Sequence, residues 1–124
     1  MKFIESAEAV KPIGPYSQGV ISNGLVFVSG QIALDPKTNA FVKGGIREQT
    51  KRVLDNLRAV LVAGGSGLDK VLKVTVYIKD ISYFKDMNEV YSAEFGTHKP
   101  ARSTVVCGFV KDEVLVEIDV IATA

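Results

Sequence analysis

The sequence predicts an α+β fold, a sheet carrying two helices on one face, and three observations predict it. An Asn-Gly pair between two β-branched runs marks a hairpin. The segments 46–61 and 81–95 repeat their apolar residues at helical spacing. The closing stretch "EVLVEIDVIA" alternates its apolar side chains over two faces. The predicted order is β-β-α-β-α-β-β.

The first pair of strands is read from "GVISNGLVFVSG". Both central residues of a type I′ turn need positive φ, which Asn and Gly supply, so Gln18 to Ser22 and Leu25 to Gly30 should pair antiparallel. From Gly45 the period changes: Ile46, Val53, Leu54, Leu57, Val60 and Leu61 share one helical face, with Arg47, Glu48, Lys51, Arg52, Asp55 and Arg58 on others. Gly64-Gly65 supplies a left-handed stop. Leu68 to Lys79, rich in Val, Thr, Tyr and Ile, reads as a mostly covered strand. Ile81 to Phe95 reads as the second helix, with Ser82 at its cap and Phe84, Met87, Asn88, Tyr91 and Phe95 along its stripe. "ARSTVVCGFV" and "EVLVEIDVIA" are expected to close the chain as a hairpin turning near Lys111-Asp112.

At 124 residues with 47% hydrophobic content, residues 1–124 are expected to form a single domain around one core. The net charge of +1 gives no electrostatic footprint for nucleic acid or an anionic membrane. No apolar run reaches the roughly eighteen residues of a membrane span, so a soluble, cytoplasmic protein is expected. One cysteine, Cys107, and one histidine, His98, leave no disulfide and no Cys/His zinc spacing, and neither a metal nor a cofactor is expected.

In "VLVEIDVI", Val114, Val116, Ile118 and Val120 point one way, and Leu115, Glu117, Asp119 and Ile121 the other. Two helices cover only one sheet face, so the second, half apolar and half charged, is expected to pack on another copy of the chain. With a two-residue turn at Lys111-Asp112, Val106 would face Glu117, Thr104 would face Asp119 and Arg102 would face Ile121. Arg102 and Glu117 would then share the interface side, about 13 Å apart at strand rise. Within one chain they could not clasp each other; across a symmetric interface they could meet.

Arg102 is then either an interface arginine paired with a neighbour's carboxylate or a clamp for a planar anion, which a guanidinium grips bidentately. Glu117 is either a salt-bridged strand residue or, if burial raises its pKa, a usable base. Asn88 is a core amide or a binding group. "IGPYSQG" presents Tyr16 from a Gly/Pro loop, and "SGQI" leaves Ser29 and Gly30 at a strand end where bare backbone can approach a ligand. "AGGSGLDK" lacks the Gly-Lys-Ser/Thr ending of a phosphate loop and follows a helix, so it is a connector. His98 has no evident partner, and Cys107 reads as an inert core thiol.

Taken in order, "IGPYSQGV", "VFVSGQI", the first helix, "VTVYIKD", "MNEVY", "PARSTV" and "VLVEIDVIA" resemble the RidA family, also called the YjgF or reactive intermediate deaminase family. "PARST" followed by Glu117 is the most specific part. The resemblance implies a chorismate-mutase-like fold and a homotrimer with a central barrel and three clefts between subunits. It also implies hydrolysis of 2-imino acids such as 2-iminobutanoate and 2-iminopropanoate, released by PLP-dependent dehydratases, to 2-oxo acids and ammonia. By the same resemblance Arg102 would hold the substrate carboxylate and Glu117 would orient or activate water. Tyr16, Ser29, Gly30 and Asn88 would line the cleft, with backbone contacts at Thr104.

The chain departs from the family pattern in three places. Thr104 stands where the deaminating subgroup often has cysteine, Val110 replaces a proline, and the "GTHKPARS" loop is short. Two other readings are carried alongside deamination. One is a trimer that binds small carboxylates or covers apolar surfaces without turnover. The other is RNA cleavage, which the near-neutral charge and the lone His98 disfavour.

Overall fold

Asn23 and Gly24 take φ angles of 51° and 75°, the pair of positive values that a type I′ turn demands. They join β2 (Gly19–Ser22) to β3 (Leu25–Gln31) in register, Ser22 opposite Leu25 and Gly19 opposite Val28. The computed structural model describes all 124 residues. It adds a strand that the sequence reading did not contain, β1 (Lys2–Ile4), paired antiparallel on β2.

The first helix, α1 (Ile46–Ala63), starts where Gly45 donates its N–H to Glu48 Oε1 at 2.8 Å. It ends in a Schellman motif: Gly65 has φ 79° and donates to Val62 O, and Ser66 donates to Leu61 O at 2.8 Å. The left-handed residue is thus the second glycine of the pair. A 3-10 turn at Leu68–Lys70 precedes β4 (Val71–Ile78), so the predicted strand starts three residues late. The second helix also begins as a 3-10 turn, Ile81–Tyr83, before α2 (Phe84–Phe95). Its cap is Asp80 and not Ser82: the Asp80 carboxylate accepts from Ser82 N at 2.9 Å. No helix is long and apolar enough to cross a membrane.

The last two strands, β5 (Ala101–Val106) and β6 (Val116–Thr123), complete a six-stranded sheet of order β1-β2-β3-β6-β4-β5. They do not form the expected hairpin. The chain leaves β4, crosses through α2 and returns as β5 parallel to β4, the ordinary outcome of a strand–helix–strand unit. β6 then inserts between β3 and β4, antiparallel to both. A tight turn does form there, Val114 N donating to Lys111 O at 3.2 Å, but beyond it the buried Gln49 amide donates to Glu113 O at 2.8 Å and accepts from Leu115 N at 3.0 Å. That pair of bonds holds the incoming segment against α1.

The parallel placement of β5 on β4 reverses one face assignment. Arg102 aligns with Val74, and Val74 with Val120; Thr104 aligns with Val76, and Val76 with Ile118. All four of these β4 and β6 partners are buried under the helices. Glu117 aligns with Tyr77 and Val105, on the other face. Arg102 and Thr104 therefore lie on the helix-covered side, and Glu117 and Asp119 on the open side. The predicted split of β6 itself holds, with Val116, Ile118 and Val120 buried and Glu117, Asp119 and Ile121 half exposed.

One core of 23 buried residues joins Leu54, Leu57 and Leu61 of α1 and Met87 of α2 to the inward faces of β4 and β6. Leu57 is fully buried, and Leu57→Ala should lower the unfolding free energy by about 2–5 kcal/mol. The check is the denaturation midpoint at unchanged slope. On the open face, Phe3, Val20, Phe27 and Ile121 stand in one row across β1, β2, β3 and β6, with Phe3 and Phe27 exposed.

Candidate functional site

The β3–β6 ladder is irregular between Val28 and Gln31, leaving Ser29 and Gly30 without partners on β6. Such a bulge re-aims backbone toward one face. Three bonds hold it: Ser29 N donates to Gln18 O at 3.0 Å, Ser29 Oγ to Ser17 O at 2.6 Å, and Gln31 Nε2 to Ser29 O at 3.0 Å. Gly30 lies directly on the Glu117 side chain; a Cβ there would stand 2.9 Å from Glu117 Cδ and nearer still to Oε2. The absent Cβ leaves the room that the Glu117 carboxylate occupies.

Tyr16, Ser29, Gly30 and Glu117 together line an open depression of about 380 Å³. Burial is the main cause that pushes the Glu117 carboxyl above its ordinary range, and the nearby Asp119 charge adds to it. Asp119 is itself held by the Tyr77 hydroxyl, which donates at 3.1 Å. Because the Ser29 proton is committed to Ser17, Ser29 turns only lone pairs to the depression, beside the Glu117 carboxylate. This half-site is rich in acceptors.

Arg102 is at the opposite pole. Its Nη1 donates to Asn88 Oδ1 at 2.7 Å, and its Cζ lies 4.7 Å from the Tyr91 ring centroid and 5.8 Å from that of Phe84. Helix α2 thus orients the guanidinium by one amide and two aromatic faces. A second depression, of about 260 Å³, is bordered by Arg102, Asn88, Ser92, His98 and Lys99 and has no acid in its wall. The buried Tyr91 hydroxyl has no hydrogen-bond partner. Burial pushes its phenol up, and the Arg102 charge opposes that shift.

The structure therefore gathers the predicted residues into two groups. Tyr16, Ser29, Gly30 and Glu117 meet on the open face; Arg102 and Asn88 meet under α2, with Thr104 two residues along the same strand. The groups lie on opposite sides of the sheet, so a single chain does not assemble them into one site. Asn88 touches Arg102, a role that its position on the helical stripe did not specify. The Tyr91 ring beneath Arg102 was read only as core. His98 Nε2 donates to Val71 O at 2.7 Å, so the one imidazole is anchored to backbone. No cluster of three or more His, Cys, Asp or Glu side chains is arranged to hold a metal ion.

Comparison with known proteins points to one family. Residues 6–124 match the family model described as endoribonuclease L-PSP. A RutC family protein of Pyrococcus abyssi is 50% identical over 119 residues, covering 96% of this chain and 94% of its own. The solved structure of RidA from the Antarctic bacterium Psychrobacter sp. superposes with a TM-score of 0.95 at 32% identity, covering the whole of both chains. E. coli TdcF with bound serine superposes with a TM-score of 0.94 at 37% identity, covering 100% of this chain and 99% of that one.

Proposed function

The chain belongs to the RidA (YjgF, L-PSP) family, and on that premise we propose that it hydrolyses reactive 2-imino acids to 2-oxo acids and ammonia at a site shared between two copies. One observation carries the reading: a donor-rich half-site at Arg102 and an acceptor-rich half-site at Glu117 and Ser29 stand on opposite faces of one chain. A 2-iminium acid has the matching polarity, a carboxylate at one end and N–H donors at the other. The bound serine of the solved TdcF structure is the saturated counterpart of such a molecule. A homotrimer with inter-subunit clefts would bring one copy's Arg102 to its neighbour's Glu117, and the exposed row from Phe3 to Ile121 supplies apolar surface for that contact.

The chemistry follows from the groups present. With Nη1 engaged by Asn88, the rest of the guanidinium is left for the substrate carboxylate. The iminium N–H groups reach the Ser29 lone pairs and Glu117. Glu117 takes a proton from water as the water oxygen bonds to C2, giving a carbinolamine. It then returns that proton to nitrogen; the C–N bond breaks, ammonia departs, and the hydroxyl becomes the 2-oxo carbonyl and releases its proton to ammonia. Water is the only co-reactant.

The test is ammonia release from 2-iminobutanoate made in situ by a threonine dehydratase, with sedimentation to read the oligomer. Acceleration above the spontaneous rate by a trimer is expected. A folded protein that binds 2-oxobutanoate but gives no acceleration would replace this reading with a carboxylate-binding module. Gly30→Ala makes a sharper variant: Gly30 has no positive φ and the group it meets is a flexible side-chain end, so the thermal midpoint should stay near wild type. The displaced carboxylate should lower kcat by about tenfold or more.

A further inference from the structure

We propose that Gln18 is a positioning residue for Tyr16: its buried amide clips the arch of residues 5–17 to the sheet and thereby fixes the ring at the edge of the Glu117 depression. This rests on the deaminase reading in that Tyr16 is taken to line the substrate cleft.

The arch leaves β1 at Ile4 and rejoins the sheet at Gly19 without regular structure of its own, so its backbone polar groups need partners from elsewhere. Gln18 supplies them. It is 5% exposed, and both ends of its amide are engaged: Oε1 accepts from Ser6 N at 2.7 Å, and Nε2 donates to Ser6 O at 3.1 Å and Val10 O at 3.0 Å. Its own carbonyl accepts from Ser29 N, beside the bulge that carries Gly30. One residue thus joins the arch, by its side chain, to the bulge, by its main chain. Tyr16 stands two residues before it, and its hydroxyl accepts from Ile13 N at 3.4 Å, closing the short turn 13–16 on the ring itself.

The ring has somewhere else to go. Tyr16 borders both the Glu117 depression and a groove of about 660 Å³ beneath the arch, walled by Phe3, Glu5, Lys11 and Pro12 among others. If the three amide bonds are removed, the arch keeps Ala9 in the core, the Ser17–Ser29 tether and the cavity wall that residues 10–13 share with Gln31, Ile32 and Leu34. The ring is then free to settle into the groove and leave the Glu117 depression without one of its walls.

The test is a double-mutant cycle on 2-iminobutanoate hydrolysis with Gln18→Ala, Tyr16→Ala and the pair. Gln18→Ala should raise KM by about tenfold with kcat changed far less, and should add less than about twofold when Tyr16 is already alanine. Gln18→Met, which fills the same space without the hydrogen bonds, should behave like Gln18→Ala and serves if alanine impairs folding. Full additivity, or a Gln18→Met enzyme with wild-type KM, overturns the inference while leaving the deaminase reading intact. If wild type shows no turnover, the same cycle is read by calorimetric binding of 2-oxobutanoate. Coupling there supports the positioning role although deamination has failed. A wild type that neither turns over nor binds overturns both.

Discussion

Glu117→Gln is expected to lower kcat by about 10²–10⁴-fold, the range that loss of a positioned proton acceptor commonly produces. Binding of a 2-oxo acid, which the proposed mechanism assigns to Arg102, should be nearly unchanged. The substitution keeps the side chain's shape against Gly30 and removes only its ability to take and return a proton. The pH profile distinguishes this from a packing effect. Burial, with help from Asp119, raises the Glu117 carboxyl in the folded protein. Wild-type rate should therefore climb with pH through a value above the ordinary carboxylate range and then level; the variant should lose that limb.

Stability should move in the opposite direction to activity. A carboxyl whose folded pKa is raised holds its proton more tightly in the native state than in the unfolded chain. Its contribution is full below the ordinary carboxylate range and is lost as pH rises through the folded value. At neutral pH, Glu117 is thus a burden that glutamine removes, and Glu117→Gln should melt higher than wild type there, with the difference vanishing in acid. A variant that keeps the rising limb of the rate profile, or full turnover, would remove Glu117 from the mechanism.

The parts of the fold that were legible in the sequence are those fixed by local chemistry. The Asn23-Gly24 turn and the apolar spacing of α1 each act within a few residues, and both formed as read. The pairing of β5 was not local. Adjacency in sequence suggested a hairpin with β6, but the α2 crossover delivers β5 beside β4, and Gln49 captures the segment before β6 from across the core. β1 escaped notice because three residues with one buried side chain make a strand only when β2 is there to receive them. The candidate site divides on the same line. Tyr16, Ser29, Gly30 and Glu117 were singled out and do meet. Arg102 was found but assigned to the wrong face, since its face follows from β4 and not from the turn. The buried amides Gln18, Gln49 and Asn56 gave no signal, because each bonds to main chain that only the folded structure brings near.

Arg102→Ala is expected to abolish carboxylate capture, raising KM and the Kd for 2-oxobutanoate by about 100-fold. Two charge-assisted hydrogen bonds at roughly 1.5–3 kcal/mol each would exceed that loss if they acted in full, and solvation of the freed carboxylate takes back part of it. The rest of the fold should tolerate the change, because Arg102 is half buried on an edge strand and its partners are one amide and two ring faces. Arg102→Lys separates charge from geometry. An ammonium keeps the attraction but has no planar fork to serve Asn88 and a carboxylate at once. It should recover only part of the affinity, about tenfold above alanine. If lysine restores binding fully, the site recognises charge alone and the Asn88–Tyr91–Phe84 setting of the guanidinium is irrelevant to it. If alanine binds as tightly as wild type, the carboxylate sits elsewhere and the donor half-site has another purpose. Loss of the proposed trimer on either substitution, read by sedimentation, would instead make Arg102 an interface residue first.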